Sequence, residues 1–114
     1  MVVLYGIKTC DTCKKARAWL DKNSIEYRFH DFRIDGLTQA QMQTFTEKVG
    51  WQVLLNKSST SWRQLSADQQ ADLTEAKALQ LMLELPTLIK RPVLDTGKEL
   101  IIGFKPEIYQ TKLT

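Results

Sequence analysis

Histidine occurs once in this chain, at position 30, and cysteine twice, at Cys10 and Cys13. A structural zinc site takes four Cys or His ligands, so three such residues make a poor one and no metal is expected. Long apolar runs are missing too. Although 43% of the residues are hydrophobic, none of the runs approaches the ~20 residues that a membrane span needs. Dense basic stretches are absent: 16 Lys and Arg stand against 13 Asp and Glu, spread along the chain. A pI near 8.9 then reads as a solvated surface with a slight positive excess rather than a nucleic-acid stripe. With five glycines and three prolines, no low-complexity linker stands out, and the 114 residues are expected to form one domain over residues 1–114 with a real core. The opening Met1-Val2-Val3-Leu4-Tyr5 lacks the charged, apolar and small-residue regions of a secretory signal, so the cytoplasm is the expected compartment.

What is there is a pair. Cys10-Asp11-Thr12-Cys13 lies between the apolar run Val2-Val3-Leu4-Tyr5 and the helix-like Lys14-Lys15-Ala16-Arg17-Ala18-Trp19-Leu20. A thiol at a helix start sits among N–H groups without intrahelical partners, where the positive end of the macrodipole favours a thiolate. Lys8, Lys14 and Lys15 act in the same sense and Asp11 against it. Cys10 is therefore the candidate nucleophile. Cys13, three residues on, returns to the same helix face, where a disulfide to Cys10 is feasible, and reads as the resolving thiol. The bland alternatives are zinc ligation and two small buried side chains. In a reducing compartment such a pair is more often catalytic or redox-sensing than structural.

The pattern predicts a buried strand over Val2 to Ile7, a helix from about Asp11 to Lys22 with Ala16, Trp19 and Leu20 inward, and an alternating strand from Glu26 to Phe32. Thr38 and Gln41 form a capping-box pattern for a helix through Lys48 that Gly50 stops, with Met42, Phe45 and Val49 as its stripe. Trp51 to Leu55 extends that packing, and residues 56–61 read as a polar loop. One or two helices fit Ser66 to Leu85, with Ala78, Leu81, Met82 and Leu85 at helical spacing. Ile89 to Leu94 and Leu100 to Phe104 read as a hairpin around Asp95-Thr96-Gly97-Lys98, and Lys105 to Lys112 as a closing helix with Pro106 in its first turn. The expected class is α/β: βαβ, then ββα, a thioredoxin-like plan with a mixed four-stranded sheet and a helical insertion over about residues 35–87. His30, followed by Asp31, reads as a local hydrogen-bonding feature rather than a catalytic partner.

With that order in hand, Leu4-Tyr5-Gly6-Ile7-Lys8-Thr9-Cys10-Asp11-Thr12-Cys13-Lys14-Lys15-Ala16 resembles the opening of the arsenate reductase family of the ArsC/Spx/YffB type. Tyr27 to Arg33, Ser61-Trp62-Arg63-Gln64-Leu65, Leu88-Ile89-Lys90-Arg91-Pro92 and Ile102-Gly103-Phe104 resemble the YffB branch, so the likeness covers nearly the whole chain. It implies a nucleophilic Cys10, with Arg63 and Arg91 binding an oxyanion or the carboxylates of glutathione. It also implies a cis bond before Pro92, and reducing equivalents from glutathione with glutaredoxin, or from thioredoxin. Where arsenate reductases of this type carry a third arginine, this sequence has Lys105, which keeps the charge but lacks the bidentate fork. The expected activity is a glutathione-dependent thiol–disulfide oxidoreductase with no bound cofactor, acting on a small-molecule or protein disulfide. The alternatives are arsenate reduction proper and an Spx-like redox regulator that binds the RNA polymerase alpha subunit. Spx members usually run on past the point where this chain ends, which tilts the expectation towards the enzyme-like branch.

Overall fold

Val2–Gly6 forms β1, whose neighbours on both sides determine what surrounds its C-terminal end. In the computed structural model, which describes residues 2–114, the elements that follow are α1 (Asp11–Lys22), β2 (Tyr27–Asp31), α2 (Gln39–Val49), α3 (Trp51–Leu54), α4 (Thr60–Arg63), α5 (Ala67–Gln70) and α6 (Glu75–Glu84). A 3-10 turn at Pro86–Leu88 then leads to β3 (Val93–Asp95), β4 (Leu100–Ile102) and α7 (Pro106–Leu113). The sheet runs β2-β1-β3-β4, with β2 parallel to β1 and the other two pairings antiparallel. This is the mixed four-stranded sheet of a thioredoxin-like α/β fold, βαβ followed by ββα. The chain divides into two compact units, one gathering the segment up to Gly36 with Arg91–Thr114, the other Leu37–Lys90.

In the first unit the register puts Phe29, Leu4, Leu94 and Ile101 in one row across the four strands. Ala16 and Leu20 of α1 and Tyr109 of α7 pack against that row to form the core, with Trp19 and Phe104 at its margin. Tyr109 is fully buried, with Phe104 edge-on at 4.8 Å and Trp19 at 5.6 Å. Edge-to-face aromatic pairs of this kind add about 0.5–1.5 kcal/mol beyond area burial. Burial, with the neighbouring Cys13, pushes the Tyr109 phenol well up from its ordinary range.

The second unit is assembled from short helices, each with a polar cap. Thr38 and Gln41 make the full capping box of α2, Ser66 and Gln69 that of α5, and Ser59 and Thr74 cap α4 and α6. Met42, Phe45, Leu54, Ala78, Met82 and Leu88 fill its interior. Asn56 N donates to Leu88 O and Lys90 N to Leu54 O, both at 2.8 Å, flanking an isolated bridge between Leu55 and Ile89.

Several elements differ from the sequence pattern. Ile89 leaves the expected hairpin strand, because its backbone is taken by Leu55, and β3 begins only at Val93. Thr60 and Ser61, expected in a loop, start α4 because the Ser59 hydroxyl accepts from Trp62 N. Leu85 is 39% exposed while Leu79 is 8%: α6 ends at Glu84, ahead of Pro86, so Leu85 falls off the helical stripe.

Candidate active site

β1 ends at Gly6, and the chain turns through Ile7, Lys8 and Thr9 before α1 begins. Cys10 N donates to Ile7 O at 3.0 Å, closing that turn, and Lys14 N donates to Cys10 O at 3.0 Å, opening the helix. Cys10 is thus the N-cap of α1, with extended backbone (φ −72°, ψ 125°) and a side chain that makes no capping bond. Its sulfur is half-buried and free of a disulfide, as is that of the fully buried Cys13. A thiol at a helix N-terminus that caps none of the N–H groups there meets the positive end of the backbone dipole.

Cys13 occupies a pocket made for it. A Cβ on Gly6 would stand 2.5 Å from the Cys13 sulfur, so only glycine fits at the end of β1. Burial pushes the Cys13 thiol up to about 12, against a backbone hydrogen bond from Ile7 that favours the thiolate; Cys10 reinforces the rise by its charge and by a side-chain hydrogen bond. A protonated Cys13 therefore donates its S–H, leaving the Cys10 sulfur as acceptor.

Arg91 is half-buried, and its positive charge favours the Cys13 thiolate. The Arg91–Pro92 bond is cis. Pro92 is fully buried, and its carbonyl accepts from Gly103 N at 2.8 Å. Cys10, Cys13, Arg91 and Pro92 all belong to the first unit. Arg63 belongs to the second, where its guanidinium donates to Ser58 O at 2.8 Å and to Thr60 Oγ1 at 3.3 Å. Lys57 lies over the Trp62 ring, at 5.5 Å. Lys105 is exposed at the N-cap of α7 and engages through its carbonyl. The His30 ring stands 4.9 Å from Tyr5, with Nε2 at 2.7 Å from Gly36 O, a local hydrogen-bonding role. Among the described residues no three His, Cys, Asp or Glu side chains gather as metal ligands.

The ArsC family matches residues 5–112. This chain is a member of the ArsC family. An uncharacterized protein of Haemophilus influenzae is 44% identical over 110 residues, 96% of each chain. The global transcriptional regulator Spx 2 of Bacillus anthracis is 30% identical over 110 residues, covering 94% of this chain and 82% of its own length. Among solved structures, the YFFB protein superposes with a TM-score of 0.96 at 47% identity, all of both chains being covered. An arsenate reductase related protein from Brucella melitensis gives 0.80 at 42% identity, over 99% of this chain and 94% of that one.

Two residues of this ArsC-family site escaped the sequence pattern. Gly6 lay within the expected strand from Val2 to Ile7 with no role of its own, whereas its lack of a side chain is what admits Cys13. Asp31 looked like a neighbour for His30, yet it is 4% exposed and accepts from Lys8 N at 2.8 Å. A carboxylate closing a strand next to the buried Phe32, with a second one at Asp35, was the available signal.

Proposed function

We propose that this ArsC-family protein is a glutathione-dependent thiol–disulfide oxidoreductase in which Cys10 is the nucleophile and Cys13 the resolving thiol. The observation that carries the reading is the Cys10 side chain at the N-cap of α1, which makes no capping bond and accepts its hydrogen bond from the buried, protonated Cys13. The Cys10 thiolate attacks one sulfur of a substrate disulfide, forming a mixed disulfide and expelling the other sulfur as a thiolate that takes a proton. Either Cys13, once it gives up its proton, or a glutathione thiolate then attacks the Cys10 sulfur. The substrate leaves as a thiol: with Cys13 as attacker the protein is left as the Cys10–Cys13 disulfide, and with glutathione it is left as a Cys10–glutathione mixed disulfide that a second glutathione resolves to glutathione disulfide and the Cys10 thiolate. Glutaredoxin or thioredoxin would return the protein to the reduced state. Arg91, near the pair, suits the carboxylates of glutathione, the family resemblance assigns Arg63 to substrate as well, and Lys105, where arsenate reductases of this type have a third arginine, offers charge without the bidentate fork. The cytoplasm suits this chemistry, since its reducing conditions keep such a pair available.

Intact mass and peptide mapping after exposure to oxidised glutathione test the reading. A glutathione adduct on Cys10 in Cys13→Ser, replaced in the wild type by a Cys10–Cys13 disulfide, is the expected result. An unmodified Cys10 in both proteins would sink it.

The likeness to Spx 2 favours a second reading, a redox-sensing regulator that binds the RNA polymerase alpha subunit through a surface altered by the Cys10–Cys13 disulfide. Retention of that subunit from one redox state and not the other supports it; no retention in either counts against it. Arsenate reduction is the narrower enzymatic variant, in which a Cys10 thiol–arsenate adduct is steadied by Arg91. Arsenate turnover with glutathione and glutaredoxin distinguishes it from disulfide exchange.

A further inference from the structure

The loop that presents Cys10 is tied down at a point the cysteines do not provide. Gly6 and Asp31 are register partners at the ends of the parallel strands β1 and β2, and Phe32 N donates to Gly6 O at 2.8 Å. Beyond that point the two strands part, and the N–H of Lys8 in the Cys10 loop is met by a side chain. Asp31 Oδ2 accepts from Lys8 N at 2.8 Å, and Oδ1 accepts from Arg33 N at 2.7 Å and Ile34 N at 3.1 Å. Asp31 is itself held, its N–H donating to Asp35 Oδ2 at 2.9 Å and its carbonyl accepting from Asp35 N at 2.8 Å.

We propose that Asp31 is a positioning residue for the Cys10 nucleophile, its two carboxylate oxygens bridging the β2 exit turn to the loop two residues ahead of Cys10. The proposal rests on the reading of Cys10 as the reacting thiol. A carboxylate suits this role because a hydrogen bond from a backbone N–H to a buried charge is shorter and stronger than one between neutral groups. Burial alone would raise the Asp31 carboxyl, yet the N–H groups of Lys8, Arg33 and Ile34, with the Arg33 charge, hold it below its ordinary range. With Lys8 N fixed by Asp31 and Ile7 hydrogen-bonded to the Cys13 sulfur, consecutive residues of the loop are anchored on β2 and on α1. Cys10 is thereby held at the helix N-terminus, where its sulfur meets the backbone dipole.

The test compares iodoacetamide alkylation of Cys10, followed by peptide mapping at one neutral pH, in the wild type, Asp31→Asn and Asp35→Asn. Asparagine offers one acceptor oxygen where the carboxylate offers two, so Asp31→Asn retains the turn or the Lys8 bond but not both. The expected result is a Cys10 rate about tenfold lower in Asp31→Asn, since small misplacements of a reacting group carry penalties of that order or more. Faster exchange of the Lys8 amide and a Cys13 still protected from alkylation should accompany it. Asp35→Asn, which loosens the same turn without touching Lys8, should stay within about twofold of wild type. An unchanged rate in Asp31→Asn overturns the proposal. A faster one does so too, because removing a negative charge without moving the thiol would favour the thiolate. Equal slowing in both variants would reduce Asp31 to a structural role and overturn it as well. Should Asp31→Asn not fold, Lys8→Pro, which removes the donor and leaves the carboxylate, is compared with Lys8→Ala, which removes only the Lys8 charge: further slowing in Lys8→Pro is expected, and equal rates in the two overturn the proposal. A wild type that alkylates at Cys10 but forms no mixed disulfide with oxidised glutathione removes the exchange reading alone, and the Asp31→Asn ratio still decides the role of Asp31.

Discussion

The two units of this protein are held together by different kinds of information. The Leu37–Lys90 unit is dominated by neighbours in sequence: Thr38 and Gln41, Ser59 and Trp62, Ser66 and Gln69, Thr74 and Lys77 each meet across three residues. The unit that carries the cysteines is organised by partners far apart. Leu4 is paired with Phe29 and with Leu94, and Lys8 is tied to Asp31. The lesson is that helix ends can be specified locally and repaired locally, whereas the thiol site inherits its geometry from a sheet whose strands must first find one another. Damage in the sheet should therefore be larger and more cooperative than damage at a cap.

The largest effect expected from breaking that comparison is at the centre of the row. Leu4→Ala, at a fully buried position, should cost about 2–5 kcal/mol in urea denaturation and lower the midpoint more than any cap variant. Gly6→Ala comes next. The added methyl would stand 2.5 Å from the Cys13 sulfur, so overpacking should cost about 1–3 kcal/mol. In the double variant with Cys13→Ala the obstructing sulfur is gone, and much of that loss should return; a purely additive double-mutant cycle would show that the close approach has no energetic weight.

A third effect is sharpened by pH. The folded Cys13 thiol is raised from its ordinary value of 9.0 to about 12. A raised group contributes stability that is complete below its unfolded value and lost as pH rises through the folded one. Wild-type stability should thus fall between about pH 9 and 12, and Cys13→Ser should flatten that decline in denaturant titrations run across the interval. The smallest change is expected in the helical unit, where Thr38→Ala removes one side of the α2 capping box and should cost about 1 kcal/mol. A Thr38→Ala loss as large as that of Leu4→Ala would erase the distinction between the units.

Much of the plan was legible from residue order alone. α1 spans Asp11–Lys22 and α2 is capped by Thr38 and stopped by Gly50, because capping and helical periodicity act over three or four residues and are written in the local sequence. The N-cap position of Cys10 follows from the same rules. The fate of Ile89 does not. Its spacing suited a strand beside Val93, but its backbone pairs with Leu55, more than thirty residues away, and only the closed second unit makes that partner available. Likewise Leu85 lies outside the buried stripe because α6 ends at Glu84, ahead of Pro86, while Leu79 joins Ala78, Leu81 and Met82 on the buried face.

By itself, then, the sequence determined the order of elements, the helix caps and the pairing of two thiols one turn apart at a helix start. Tertiary structure decided which thiol is reachable: Cys13 is sealed beneath Gly6 while Cys10 stays half-buried. It also converted Asp31 from an ordinary strand-end acid into the clamp on Lys8. The physical reason is range. Helix propensity and capping are exhausted within a few residues, but burial, desolvation of a thiol and a hydrogen bond across 23 positions exist only after the parallel strands have brought their ends together.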